Sequence, residues 1–140
     1  ALPAIDFVII AQHLAQMGIA FVLALPIAIN REKQAQSAGL RTFPLVTIAS
    51  CAFMLVGIEV FRESESQARV MYGIITGIGF IGGGSIIKSA ENVHGTATAA
   101  SIWLTGAIGV SVAFNRYEIA IVLSLVGFLV LKFLEKYKDS

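Results

Sequence analysis

The ionisable residues that could do chemistry in this chain of 140 residues are few, and most lie at the ends of apolar segments. Glu59 is the only acidic residue clearly inside such a segment; Arg62 follows three residues later, and Arg69 opens the next segment. An ionisable group within a membrane span is a functional candidate, whereas an ion pair at the membrane surface would explain the same residues. No nucleophile–base pair or metal-ligand cluster appears, so the sequence does not predict an enzyme.

A second set of polar residues lies at the start of the fourth apolar segment. Thr96 or Thr98 can cap a helix that begins here, because a hydroxyl accepts a hydrogen bond from a free backbone N–H. The positive end of the same helix dipole would also suit an anion or a substrate carboxylate. Ser101 follows one turn later. His94 has no second His or Cys at ligand spacing, so a solvated side chain is the simpler interpretation.

The remaining polar candidates belong to the first apolar segment and the loop after it. His13 shares a helix face with Gln16, three residues away, and polar groups in a membrane span usually face other helices or a wet cavity. The other candidates cluster where the segment ends: Asn30, Arg31, Glu32 and Arg41. The orientation of the chain in a membrane would by itself explain the three charged ones.

The composition that must position these residues is that of a membrane protein. Apolar residues make up 56% of the chain and charged residues 14%, and the mean hydropathy is +0.81. A hydrocarbon core is crossed by about 17–25 helical residues. The chain is therefore predicted to be all-α, one transmembrane domain over residues 1–140 with five spanning helices. The predicted spans are residues 7–29, 43–61, 70–87, 97–114 and 117–134.

The distribution of the ten Lys and Arg residues predicts the orientation, because cytoplasmic loops carry an excess of them. One side has Arg31, Lys33, Arg41, Lys88, Lys132, Lys136 and Lys138, and the other has Arg62, Arg69 and Arg116. The N-terminus is therefore expected outside and the C-terminus in the cytoplasm. No basic tract suited to nucleic acid is present, so nucleic acid is not an expected partner.

Glycine dominates the third predicted span. Its 18 residues include no charged residue. Six of them are glycines: Gly73, Gly77, Gly79, Gly82, Gly83 and Gly84. The GxGxxG run at 77–82 is not a dinucleotide motif, because it lies inside an apolar span without a preceding strand. Two GxxxG pairs indicate close helix packing, within the chain or across a homodimer. A discontinuous helix that lines a polar path is the alternative.

Three motifs together resemble the MgtC/SapB family of bacterial inner-membrane proteins, over about residues 14–126. They are AGLRT at 38–42, Arg69 followed by GIGFIGGG at 77–84, and TATAASIW at 96–103. The resemblance implies a five-helix membrane domain, localisation in the bacterial inner membrane and a link to magnesium homeostasis. It also implies an alternative role, because a well-known member is thought to act on the proton-translocating ATP synthase.

The chain departs from the family pattern in two places. Members usually have Glu-Arg-Glu where this chain has Asn30-Arg31-Glu32, and many have Asp-Pro where it has Ser66-Gln67. Two carboxylates are therefore missing, which weakens a cation site. The chain is also expected to be a short form without the cytoplasmic C-terminal domain of longer members.

Two functions follow as hypotheses. The first is a multi-pass inner-membrane protein of magnesium or ion homeostasis that acts as a transporter or a transport-associated subunit. The second is a regulatory protein that binds another membrane machine and moves no solute. No cofactor is expected beyond a weak interaction with Mg²⁺. The expected partners are membrane lipid, a second copy of the chain in a dimer, and another membrane protein.

Overall fold

The computed structural model describes residues 3–34 and 38–137. Within these ranges the chain is mostly helical, as predicted. In chain order the elements are α1 (Phe7–Gln34), α2 (Thr42–Val60), α3 (Ser64–Gly83), strand β1 (Ile87–Lys88), strand β2 (Val93–His94), α4 (Thr96–Ala113), α5 (Tyr117–Leu134) and a 3-10 turn at Glu135–Tyr137. The two strands pair antiparallel as a short ribbon between α3 and α4.

The predicted third span has wrong boundaries at both ends. The helix begins at Ser64 instead of residue 70, because the polar residues before the apolar run continue the same helix. It ends at Gly83 instead of residue 87. The Ser85 N–H and hydroxyl both donate to the Gly82 carbonyl, at 3.0 and 2.7 Å, which satisfies a backbone acceptor that the ending helix leaves free. The residues between α3 and α4 then form the β-ribbon.

Four helices are long and apolar enough to cross a membrane: α1, α2, α4, and α5 together with the turn that follows it. In the described residues α3 does not belong to this group, because its first two turns are polar. Five helices are therefore present, whereas five membrane crossings stay a prediction. The predicted orientation of the two termini also stays a prediction.

Helix α4 lies at the centre of the bundle and packs against α1, α2, α3 and α5. Two of its glycines allow this. Gly109 lies against the Thr47 carbonyl oxygen and the Ser50 hydroxyl of α2, and Gly106 lies against the Ile78 side chain of α3. Small residues let helix backbones approach closely where lipid supplies no hydrophobic drive between helices. The core is therefore built around α4.

Helices α1 and α5 run parallel, with their ends at the same end of the bundle. The Ser124 hydroxyl of α5 donates to the Leu23 carbonyl of α1 at 2.6 Å. One turn further along both helices, a Cβ atom at Gly127 would lie 3.2 Å from Ile27. The start of α1 and the end of α5 are therefore at opposite ends of the bundle.

Helices α4 and α5 form an antiparallel hairpin with a tight connection at residues 114–116. Asn115 has a left-handed backbone with φ 59°, a conformation that Asn tolerates better than most residues. The Arg116 N–H donates to the Ser111 carbonyl at 2.8 Å. The Gln16 side chain of α1 donates to the Val112 carbonyl at 3.4 Å and to the Asn115 side chain at 3.2 Å. The first helix thus fixes this turn.

The central packing predicts that Gly109→Ala destabilises the protein. The added methyl group would collide with the Thr47 carbonyl and the Ser50 hydroxyl, and such overpacking costs about 1–3 kcal/mol. Thermal unfolding in detergent measures this as a lower Tm. Gly18→Ala is the matched control, because a Cβ atom there meets nothing within 4 Å. Equal Tm values for Gly109→Ala and the wild type would contradict the central position of α4.

Candidate functional site

Three polar side chains are buried where α1 ends and α4 begins. They are Asn30 and Arg31 on α1 and Thr98 on α4, which we call the buried polar layer. Arg31 is 2% exposed and Thr98 is 0% exposed. Arg31 is the one charged residue among the buried side chains of the described chain. A charge inside a membrane bundle is costly and is a functional candidate by default.

The register of α1 against α4 brings these residues to one level. Gln16 of α1 bonds to Val112 of α4, and further along, Ile27 and Leu104 lie against the same glycine of α5. The two helices run antiparallel, so one more turn of α1 reaches the first turns of α4. Arg31 follows Ile27 by one turn on the same face of α1. It therefore lies level with the first two turns of α4, where Thr98 is buried.

The Arg31 guanidinium has fewer hydrogen bonds than it can make. Its Nε and Nη2 atoms both donate to the Asn30 side-chain oxygen, at 3.1 and 2.9 Å. Its Nη1 atom is buried and has no hydrogen-bond partner within residues 3–34 and 38–137. A guanidinium carries five N–H donors. The neutral amide of Asn30 thus leaves both the charge and part of the donor capacity of Arg31 unmatched.

Glu32 faces away from this layer toward the connection between α1 and α2. Its side-chain oxygen accepts a bond from the Leu40 N–H at 3.4 Å. A Cβ atom at Gly39 would lie 2.7 Å from the same carboxylate and 3.0 Å from the Glu32 Cα atom, so the backbone at Gly39 lies close to the end of α1. Arg41 follows at the start of α2 and is exposed. The predicted cluster therefore divides into a buried part and a surface part.

The start of α4 differs from the predicted cap. The residue before the helix is Gly95, with φ 90°, and no side chain makes a capping hydrogen bond there. Thr96 and Thr98 lie inside the first turn, where a hydroxyl is past the capping position, so the prediction that one of them caps α4 is wrong. The Thr98 hydroxyl is buried without a partner in the described chain. The Ser101 hydroxyl donates to the Ala97 carbonyl at 2.7 Å.

The other ionisable candidates lie elsewhere. Glu59 is exposed in the last turn of α2, and Arg69 is exposed on α3. The predicted ion pair of Glu59 with Arg62 or Arg69 is absent from the described residues, where the recorded salt bridge joins Arg116 and Glu118 at 3.9 Å. Both predicted partners are on the surface, where such a pair would stabilise little.

The sequence grouped His13 with Gln16 on one face of the first helix. In the structure His13 is half-buried, and Gln16 makes the contact with α4 and the α4–α5 turn. The expectation that polar groups of this helix face other helices is thus confirmed for Gln16. As for metals, the described ranges contain no group of three His, Cys, Asp or Glu side chains that could hold an ion.

The glycine face of α3 is open. A Cβ atom at any of four positions would meet nothing within 4 Å: Gly73, Gly77, Gly79 and Gly83. The expectation that they pack against another helix of the same chain is therefore wrong for the described residues. Gly82, next to them, does pack, because a Cβ atom there would lie 3.0 Å from the Ala99 carbonyl oxygen. Gly84 ends the helix instead of breaking one.

Sequence reasoning missed the contacts that hold the helices together. The small residues that matter are Gly106 and Gly109 of α4, three positions apart and hence on one helix face. That spacing indicates a helix face that can pack closely, although α3 contains more glycines and was therefore the predicted packing helix. The bond from Ser124 to Leu23 had no signal, because a lone serine in an apolar run also bonds readily to its own helix.

The outside of the bundle defines the class of protein. Large apolar side chains cover it, including Phe7, Leu14, Phe53 and Phe80, of which Phe80 is 85% exposed. Soluble proteins rarely expose contiguous apolar surface of this extent. With four apolar helices of spanning length, this is a multi-helix integral membrane protein.

The chain belongs to the MgtC family, whose family model matches residues 17–140. It is 33% identical over 129 residues to the Escherichia coli K12 protein named "Putative magnesium transporter YhiD", covering 87% of this chain. It is 31% identical over 129 residues to protein SrpB of Synechococcus elongatus, covering 79% of this chain. It is 39% identical over 101 residues to protein MgtC of Brucella abortus, covering 72% of this chain. The resemblance predicted from the motifs is thus confirmed.

The chain spans only part of some of these relatives. The matched region is 60% of the length of YhiD, 71% of SrpB and 42% of the Brucella MgtC protein. No solved structure matches the chain.

The unmatched charge of Arg31 predicts that Asn30→Asp raises stability. The substitution keeps the size of the side chain and turns a neutral acceptor into a carboxylate. The bonds from Arg31 already carry the charge of the guanidinium, and a carboxylate would add the attraction between opposite charges in the low dielectric constant of the bundle, which a neutral amide cannot supply. Thermal unfolding in detergent at pH 7 should give a higher Tm. In an Arg31→Gln background the same change should bring no gain, and a gain there would contradict the pairing.

Proposed function

We propose that this chain is a multi-pass protein of the bacterial inner membrane that serves magnesium or ion homeostasis as a transport-associated subunit. The family membership and the name of the YhiD relative support the link to magnesium. In this proposal the chain acts together with other chains and is not a complete carrier. The buried positive charge of Arg31 is the observation that carries this choice.

The charge of Arg31 disfavours passage of a bare magnesium ion through one bundle. Like charges repel strongly in a medium of low dielectric constant, and Mg²⁺ is a doubly charged cation. Mg²⁺ also demands octahedral oxygen ligands, commonly including one or two carboxylates. The other buried polar side chains of the described residues are an amide and hydroxyls. Magnesium traffic would therefore involve a hydrated ion, a path between chains, or an indirect effect through a partner.

A regulatory role is the second candidate. In this case the helices bind another membrane machine, such as the proton-translocating ATP synthase, and move no solute. The open glycine face of α3 favours it, because glycine faces suit contacts with a helix of another protein in the membrane. Transport-associated and regulatory roles differ in whether the assembled protein supports flux.

We expect purified monomers in lipid vesicles to carry little or no Mg²⁺. A fluorescent indicator inside the vesicles measures the flux, with protein-free vesicles as the lower reference and an ionophore as the upper one. Glu59→Gln is the informative variant, since it removes the charge of the acidic residue in the last turn of α2 and keeps its shape. If the wild type carried Mg²⁺ and Glu59→Gln abolished the flux with folding intact, the proposal of an incomplete carrier would be wrong.

We also propose that two copies associate through α3. Its glycines Gly73 and Gly77 border an apolar groove of about 350 Å³ between α2 and α3. Side chains of a helix from a second copy can pack into this groove. Gly77→Leu should fill this space and lower the dimer fraction in crosslinking experiments in liposomes. Gly18→Leu is the matched control, because Gly18 of α1 is equally open. A wild-type dimer fraction in Gly77→Leu would argue against this face.

A further inference from the structure

We propose that an apolar groove between α3 and α5 holds one tail of an anionic phospholipid, with the phosphate of its headgroup at Arg116. We call this space, which is lined by residues of α3, α4, α5 and the α4–α5 turn, the lipid groove. It is distinct from the groove between α2 and α3 described above. This inference does not depend on the proposed role in magnesium homeostasis.

The lipid groove follows the outer face of α4. Helices α3 and α5 both pack on α4, and the space between them has a volume of about 810 Å³. The part of α4 that lines it extends from Ala100 to Phe114, which corresponds to about 21 Å at the rise of an α-helix. One leaflet contributes about 15 Å, half of the hydrocarbon core. The groove is therefore long enough for a lipid tail.

The walls of the lipid groove suit hydrocarbon. Helix α3 contributes Ile74 and Ile78, and α5 contributes Leu123. The Ser111 hydroxyl, which borders the groove, already donates to the Ala107 carbonyl of its own helix at 2.8 Å. Burial of apolar surface therefore supplies the attraction along the groove, as it does for an alkyl chain.

The width of the lipid groove favours a lipid tail over a helix. A volume of 810 Å³ spread over about 21 Å corresponds to a cylinder about 7 Å across. A helix with its side chains is about 10–12 Å in diameter, so it can rest on the rim but cannot occupy the groove. An alkyl chain carries no side chains and is narrower. Bilayer lipid also reaches this face, because Trp103 of the groove is 57% exposed.

A cation lies at one end of the lipid groove. Among the described residues that line it, Arg116 is the charged one, and it belongs to the turn between α4 and α5 at the end of the bundle. An arginine side chain can lie along apolar surface and present several N–H donors to a phosphate. An apolar groove with a cation at its end matches a lipid tail joined to an anionic headgroup. This charge complementarity is the reason that we assign an anionic phospholipid.

Glu118 is the acidic group that competes for Arg116. The closest charged atoms of the two side chains are 3.9 Å apart, and both side chains are 67% exposed. Exposed pairs of this kind stabilise a protein little, so a headgroup phosphate can replace the carboxylate. Glu118 does not line the groove. Its charge should therefore weaken the binding of an anionic headgroup without affecting the binding of the tail.

The fluorescence of Trp103 tests the proposal, because this residue is the single tryptophan of the chain and lines the lipid groove. The full chain is reconstituted in vesicles, where phospholipids with brominated tails quench tryptophan fluorescence on contact. Competition between brominated phosphatidylcholine and unbrominated phosphatidylglycerol gives the relative affinity of the two lipids at Trp103. We expect phosphatidylglycerol to bind about fivefold more tightly, the effect of one cation on an anionic headgroup.

Two charge variants test the position of the headgroup. Arg116→Gln should abolish the preference for phosphatidylglycerol, whereas Glu118→Gln should increase it, because the competing carboxylate is removed. Arg62→Gln is the matched control, since it removes an exposed cation that does not line the groove. This control should keep the wild-type preference.

A third variant tests the position of the tail. Ala107→Phe places a large side chain on the exposed face of α4 inside the lipid groove, so it should exclude the tail and abolish the preference. Ala107→Leu serves the same purpose if Ala107→Phe fails to fold. Val56→Phe is the matched control, because it enlarges an exposed residue of α2 outside the groove.

Three outcomes would overturn the proposal. The first is equal affinity of the wild type for the two lipids. The second is a wild-type preference in folded Arg116→Gln or in the folded Ala107 variant. The third is a lack of quenching by both brominated phosphatidylcholine and brominated phosphatidylglycerol, which would mean that another protein segment covers the groove.

Discussion

The approach of α4 to α2 at Gly109 is the contact on which the rest of the bundle depends. A side chain at this position would displace the Thr47 carbonyl and the Ser50 hydroxyl, so the Gly109 backbone of α4 lies directly against both the backbone and the Ser50 side chain of α2. Helices in lipid gain no hydrophobic free energy by meeting each other, and close packing of small residues must supply the attraction. With α4 held this way, its other faces are available to α1, α3 and α5.

Inside the bundle almost every hydroxyl is satisfied by its own helix. Thr47 donates to the Phe43 carbonyl at 2.9 Å and Ser50 donates to the Thr47 carbonyl at 3.0 Å, and the serines and threonines of α4 beyond its first turn do the same. Apart from Ser124, which donates to the Leu23 carbonyl of α1, these hydroxyls therefore need no partner on another helix. Against this regularity, the unpaired atoms of Arg31 and Thr98 are exceptions that packing alone does not explain.

Hydropathy predicted the second, fourth and fifth helices to within one residue, because charged or polar residues bound each apolar run. It ended α1 five residues too early, because the helix continues through the polar residues 30–34. It misplaced both ends of α3, where polar residues begin the helix and glycines end it inside an apolar run. It also could not identify the glycines that pack, such as Gly82, because the rotation of a uniformly apolar helix is not encoded in its hydropathy. The site was predicted in part: Arg31 and Thr98 were candidates, but the burial of Arg31 depends on the register between α1 and α4.

The peripheral position of α3 has a consequence for the mechanics of the fold. Only Ile74, Ile78 and Gly82 of this helix are buried, whereas α4 buries half of its length. The free energy of local opening follows the number of buried contacts that must break. Helix α3 should therefore open more readily than α4, and its backbone amides should exchange with solvent or lipid-side water before those of the central helix. The fold thus has a central helix that keeps its place and an outer helix, α3, that can move against it.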